Sequence, residues 1–222
     1  MMNATPIPAV HPKRNEHGAT VSIRAPSSAS GEATWFARTA VAVFTPGSSV
    51  PSALNDVAVA PWVDGRPQSE LAWASVSGQC GGIVGLPALK LSAGKKAASG
   101  VIVPEADGRV WLVGPTNGFG GVTHTFPKGT LEGALSHQAN AIKECFEETG
   151  LRVAIDAFAL DVERSTSVVR YFLAHRTGGS PADMGWESQA VLLAPLSALD
   201  ALLNRPEDQA IIAFLRERAG RV

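Results

Sequence analysis

The sequence predicts an α/β domain over residues 93–222, preceded by an accessory region over 31–92 and a lead over 1–30. Three observations carry this reading. Apolar runs of strand length recur at 98–104, 109–113, 153–160, 167–175 and 190–194. Between them, residues 136–150 repeat their apolar side chains at helical spacing. Residues 196–203 and 207–218 read as two further helices. Strands and helices that alternate in this way build layered α/β folds.

Taken in order, residues 1–30 carry Pro, Ser, Asn and charges with little periodicity. They are expected to be poorly ordered, apart from a short strand at 21–24, and to leave His11 and His17 solvated. Residues 33–44 (ATWFARTAVAVF) form an apolar segment that leans to strand. From there to residue 92, Gly, Pro and Ser punctuate short apolar pieces such as 57–60. Trp35, Trp62 and Trp73 all fall in this region, which points to a packed, β-rich accessory layer. Such a layer serves as core, as a wall beside a substrate, or as a homodimer contact.

After Lys95-Lys96 the pattern sharpens. Residues 98–104 and 109–113 flank the turn Glu105-Ala106-Asp107-Gly108 and signal a hairpin. The Gly-rich run 116–122 (TNGFGGV) is a weak phosphate-cradle signal, and 123–126 reads as a short strand. The helix that follows has Ser136 as N-cap and Gly150 as stop. At 100° per residue Ala139, Ile142 and Phe146 share one side, and Glu144, Glu147 and Glu148 fall within a sector of roughly 100° on the other. At about 5–6 Å and an effective dielectric near 20, each carboxylate pair costs roughly 3 kcal/mol before screening. Either the face is solvated or it holds cations. Residues 178–185 read as a mobile stretch leading to Trp186-Glu187, and the last helix has acids at its start and Arg at its end, as the dipole favours.

A formal net charge of −1 shows no electrostatic footprint for nucleic acid or an anionic membrane. The two cysteines support neither a disulfide framework nor a zinc site, and Cys145 reads as a small core residue. No apolar run reaches about 18 residues, and the first residues lack the apolar core of a secretory signal. The expectation is a cytoplasmic protein.

Residues 129–151 carry a resemblance. Gly129, five residues, Leu135, seven residues and then Lys143-Glu144-Cys145-Phe146-Glu147-Glu148-Thr149-Gly150-Leu151 resemble the Nudix box. That box reads Gly, five residues, Glu, seven residues, Arg-Glu-apolar-any-Glu-Glu-any-Gly-apolar, and Phe126-Pro127-Lys128 resembles its usual lead-in. Two positions depart: Leu135 stands for the first Glu and Lys143 for the Arg. Those two commonly pair in the family, so their joint change reads as one lost ion pair, worth about 0–1 kcal/mol if exposed.

The resemblance implies an α/β/α sandwich around a mixed sheet and a Mg²⁺-dependent phosphoanhydride hydrolase, with Mn²⁺ as an alternative ion. By the same likeness Glu144 and Glu148 resemble the principal metal ligands. Glu147 is a further ligand or the group that takes a proton from water, and the Gly129 carbonyl is an additional ligand. Glu187, in a loop before a strand, is a second candidate base. Lys128 is a candidate phosphate contact, and Tyr171 or Trp186 a candidate platform for a base. His124 is a weaker candidate acid or phosphate contact. The implied substrate is a nucleoside diphosphate linked to another moiety. No Pro follows fifteen residues after the box, where Thr166 stands, so the mark of many ADP-ribose members is missing. Two alternatives stand beside the hydrolase: a catalytically silent Nudix module that binds a nucleotide-like ligand, and a prenyl diphosphate isomerase.

Overall fold

The computed structural model describes residues 9–81, 83, 86–118 and 121–220. Its centre is a pair of sheets. Strands β6 (Lys96–Ile102), β8 (Lys128–Thr130), β9 (Leu151–Glu163) and β10 (Ser167–Gly179) form one sheet in the order β8-β6-β10-β9. Strand β10 runs parallel to β6 and antiparallel to β9, so the sheet is mixed. Strands β3 (Ala42–Phe44), β7 (Arg109–Pro115) and β11 (Ser188–Pro195) form the second, in the order β3-β11-β7.

Two apolar layers cover the strands, because alternate strand residues face opposite ways. In β11, Val191 and Leu193 join the layer under helix α3 (His137–Thr149), while Ala190, Leu192 and Ala194 join the layer under α5 (Gln209–Ala219). The expected α/β/α arrangement is therefore present.

Helix α3 begins and ends where its sequence dictates. The Ser136 hydroxyl accepts from the Ala139 N–H at 3.0 Å, and Gly150 closes the helix at φ 72°. Ala139, Ala141, Ile142, Cys145 and Phe146 are buried beneath it.

The expected 98–113 hairpin survives only at its turn. Glu105 N–H donates to the Arg109 carbonyl and Trp111 N–H to the Val103 carbonyl, but beyond these bonds the strands diverge. β6 is taken up by β10 and β8, and β7 by β11, because each gains a longer ladder there. Thr125 makes only an isolated bridge to Val113, and the ladder resumes at β8, which the sequence did not signal. Of the Gly-rich run, residues 119–120 lie outside the described residues. Residues 196–203 form a 3-10 turn and the short helix α4 (Leu199–Leu202).

The amino-terminal portion differs most from expectation. Strands β1 (Ala9–Val10) and β2 (Ser22–Ile23) pair antiparallel, and His11 is buried, whereas His17 is exposed. Residues 1–8 are outside the description. The segment 33–44 splits into a five-residue helix, α1 (Glu32–Phe36), and β3. A second short helix, α2 (Glu70–Ala74), carries Trp73, and β4 (Ala53–Leu54) pairs with β5 (Val57–Ala58). All three Trp are packed: Trp35 against Trp111 at 6.1 Å, and Trp62 and Trp73 against each other and against Phe146 of α3. Buried guanidinium groups tie the regions together. Arg109 bonds Asp107 and the Trp35 carbonyl, and Arg176 bonds Glu105 and the Leu54 carbonyl. Among the described residues no helix is long and apolar enough to cross a membrane.

Candidate active site

The acidic side of α3 forms one wall of a cleft of about 480 Å³. Gly129, Glu144, Glu147, Glu148, Lys128, Trp186 and Glu187 all line it, so the fold gathers nearly every residue that the sequence singled out. The carboxylates differ in setting. Glu144 and Glu148 are 6% and 9% exposed, while Glu147 is exposed at the rim. Desolvation, then the neighbouring Glu148, pushes the Glu144 carboxyl up to about 9. Desolvation also raises Glu148 to about 7, against the opposing pull of Lys128 and its N–H, which donates to Glu148 Oε2 at 2.7 Å. At Gly129 the backbone lies directly on Glu144, and an added Cβ would overlap that carboxylate. Any larger residue there would have to displace the Glu144 carboxylate.

The departures from the box have a structural answer. Leu135 is buried in the layer under α3, and Lys143 is not left alone. Its Nζ meets Glu132 Oε2 at 3.0 Å and Glu147 Oε2 at 2.6 Å. The brace between loop and helix, expected to be lost, is thus rebuilt three residues earlier by Glu132, whose N–H also bonds Asn140 Oδ1 at 3.1 Å.

Tyr171 is no platform for a base. It is fully buried, edge-on to Phe126, with its hydroxyl accepting from Arg164 Nη2 at 3.0 Å, so its ring face is closed to any base. Its neighbour Arg170 is buried against Asp161 on the other face of the sheet. Trp186 is half-buried on the cleft wall, where a ring can still be offered to a ligand. Glu187 is exposed at its tip, yet desolvation by the cleft and the facing Glu147 and Glu16 raise its carboxyl. His124, half-buried, has its ring nitrogen on the Leu202 carbonyl and is lowered by burial; it does not line the cleft. The stretch 178–185, expected to be mobile, is docked: Met184 is buried, and Gly185 N–H donates to the Glu147 carbonyl at 2.5 Å.

The far wall was not foreseen. Arg164, Thr166 and Ser167 from the β9–β10 turn, with Arg205 and Glu207 ahead of α5, line the same cleft as the carboxylates. Arg164 is held from beneath by Asp208 at 2.6 Å as well as by Tyr171. The Arg-Ser-Thr-Ser run at 164–167 is a faint signal for it, but only tertiary structure brings that turn opposite α3.

Whether these residues suit a divalent ion is a question of donor chemistry. Glu144, Glu148 and the Gly129 backbone are hard oxygen donors packed together without a full counter-charge, which is what Mg²⁺ and Mn²⁺ require. Among the described residues, however, no three His, Cys, Asp or Glu side chains already converge as a cage. Glu147 is turned to Lys143, so an ion would rely on two carboxylates, backbone and water.

Glu144, Glu147 and Glu148 thus share one open cleft with the basic side chains of Lys128, Arg164 and Arg205. The chain belongs to the Nudix family: the NUDIX domain model matches residues 94–215, over half its length. No curated protein matches the chain. Among solved structures it is similar to a NUDIX hydrolase from Nitrosomonas europaea, at 21% identity and a TM-score of 0.47, over 59% of this chain and 75% of that one. It is also similar to an ADP-ribose pyrophosphatase from Streptococcus suis, at 20% identity and 0.47, over 56% and 91%. A C. elegans Ap4A hydrolase matches at 18% identity and 0.45, over 57% and 96%. Likeness of this degree carries nothing about substrate.

Proposed function

We propose that this protein is a Mg²⁺-dependent hydrolase, with Mn²⁺ as an alternative ion, that cleaves a phosphoanhydride bond in a nucleoside diphosphate linked to another moiety. The supporting observation is the pair of desolvated carboxylates, Glu144 and Glu148, set beside the Gly129 backbone on the wall of an open cleft. Divalent ions held there would neutralise the diphosphate and acidify a water. The chain's own residues do the rest. Lys128 and Arg164 draw the phosphates between the walls by charge and hydrogen bonding. Glu187, with its raised carboxyl, accepts the proton of the attacking water, and Glu147 is the second group able to do so once it leaves Lys143. Trp186 and the turn carrying Thr166 and Ser167 contact the rest of the substrate. Both cysteines are free thiols, as suits a reducing cytoplasm.

A silent ligand-binding module is the competing reading, favoured by the engagement of Glu147 with Lys143. Against it stands the cost of burying two crowded carboxylates, which a pure sensor has no need to maintain. The deciding experiment is a panel of nucleoside diphosphate derivatives incubated with and without Mg²⁺ and scored for phosphorus-containing products. One compound is expected to be cleaved only with metal, and Glu148→Gln is expected to abolish that cleavage while circular dichroism stays parental. Parental turnover in the variant would overturn the assignment.

A further inference from the structure

Glu187 sits in the loop between β10 and β11, and among the described residues no hydrogen bond reaches its carboxylate. The backbone of the loop therefore decides where that carboxylate stands. On its inner side the loop is docked to α3 through Gly185 N–H and the Glu147 carbonyl. The outer side is held by residues near the amino terminus, far outside the segment that the NUDIX domain model matches. Lys13 Nζ donates to the carbonyls of Asp183 at 2.8 Å and Met184 at 2.6 Å. Beyond Glu187, the Gln189 side chain bonds Ser27 twice, accepting from its N–H at 3.0 Å and donating to its hydroxyl at 2.8 Å. The third hold is Thr116. Its N–H donates to the Glu187 carbonyl at 2.7 Å, its hydroxyl donates to the Trp186 carbonyl at 2.7 Å, and its own carbonyl accepts from Arg24 N–H.

We propose that residues 9–30 are a brace that completes the active site by fixing the loop that carries Trp186 and Glu187, with Lys13 as its principal positioning residue. The brace grips the loop on both sides of Glu187, at sequence separations above 160 residues. A stray surface contact would touch one point; this one meets the loop at carbonyls 183 and 184, the start of β11 at side chain 189, and the loop again through Thr116 at carbonyls 186 and 187. Without Lys13, the carbonyls of Asp183 and Met184 would turn to water, and the loop would keep its inner dock and the Thr116 bonds but lose its hold ahead of Trp186. A displacement on the order of 1 Å at a catalytic group costs up to about a hundredfold in rate.

The role rests on reading Glu187 as the proton acceptor, and the test separates the two. Hydrogen–deuterium exchange is measured on the full chain and on Lys13→Ala and Lys13→Arg. Exchange at the amides of 185 and 116 is expected to rise about tenfold in Lys13→Ala and to return in Lys13→Arg. With the panel compound cleaved fastest, Lys13→Ala is expected to lower kcat about tenfold with KM within about twofold, again restored by Lys13→Arg. Unchanged exchange in Lys13→Ala overturns the brace, as does faster exchange with parental kcat or a failure of Lys13→Arg to restore both. Glu187→Gln is run beside them. If it keeps parental turnover, the base assignment fails and exchange alone judges the brace. If it is inactive while Lys13→Ala is not, the brace fails and the base assignment stands.

Discussion

At Gly129 the backbone of β8 lies on the Glu144 carboxylate, and the proposed metal binding depends on that contact. Gly129→Ala is expected to push Glu144 aside, to cost about 1–3 kcal/mol as overpacking does, and to weaken the rise in melting temperature that millimolar Mg²⁺ gives the parent; thermal unfolding with and without Mg²⁺ checks it. The two buried carboxylates also make a pH prediction. Burial, then mutual repulsion, raises Glu144 to about 9, and burial raises Glu148 to about 7. A raised folded value means that folding takes up protons. The stability these groups contribute is full below about pH 4.5 and is lost as pH rises through about 7 and then about 9. In chelator, the melting temperature is therefore expected to fall from pH 5 to pH 9, and millimolar Mg²⁺ to flatten the fall by favouring the charged forms. A flat curve in chelator would show a solvated face. That Glu144, Glu147 and Glu148 line one cleft was legible from spacing on one helix. That Lys143 finds Glu132 was not, since it depends on the fold of the intervening loop.

Within elements, the sequence was a good guide wherever the signal was local. Ser136 and Gly150 mark the ends of α3, and a left-handed residue packed close to the Ser180 carbonyl leaves no room for a side chain. Gly150→Ala is expected to cost about 1–3 kcal/mol through strain at φ 72° and that overlap, read as a shift in the urea midpoint. Pairing partners were a different matter. Strands 98–104 and 109–113 carry a hairpin turn, yet they serve different sheets, because partners are chosen by the longest buried ladder available and not by the nearest turn. Alternation placed Arg170 and Tyr171 on opposite faces correctly but could not say which face was open. Tyr171 faces inward and supports Arg164 from below.

Across the whole molecule the accessory region is part of the body that it precedes. β3 extends the sheet of β7 and β11, and Trp35, Trp62 and Trp73 join the apolar layer that α3 packs into. Residues 93–222 expressed alone are expected to lose cooperative unfolding, since Trp111 and Phe146 would be bared and Arg109 and Arg176 would lose the carbonyls they bond. A sharp urea transition for that fragment would refute this. The sequence by itself determined the Nudix family, the caps of α3 and the clustering of Glu144, Glu147 and Glu148 on one face of that helix, because all of these are spacings along one short segment. Only the tertiary structure decided the guanidinium wall, the burial of Tyr171, the substitute ion pair at Glu132 and the grip of the amino terminus on the Glu187 loop. Each of these joins residues far apart in the chain, and such pairings follow from how the layers pack, which no local pattern encodes.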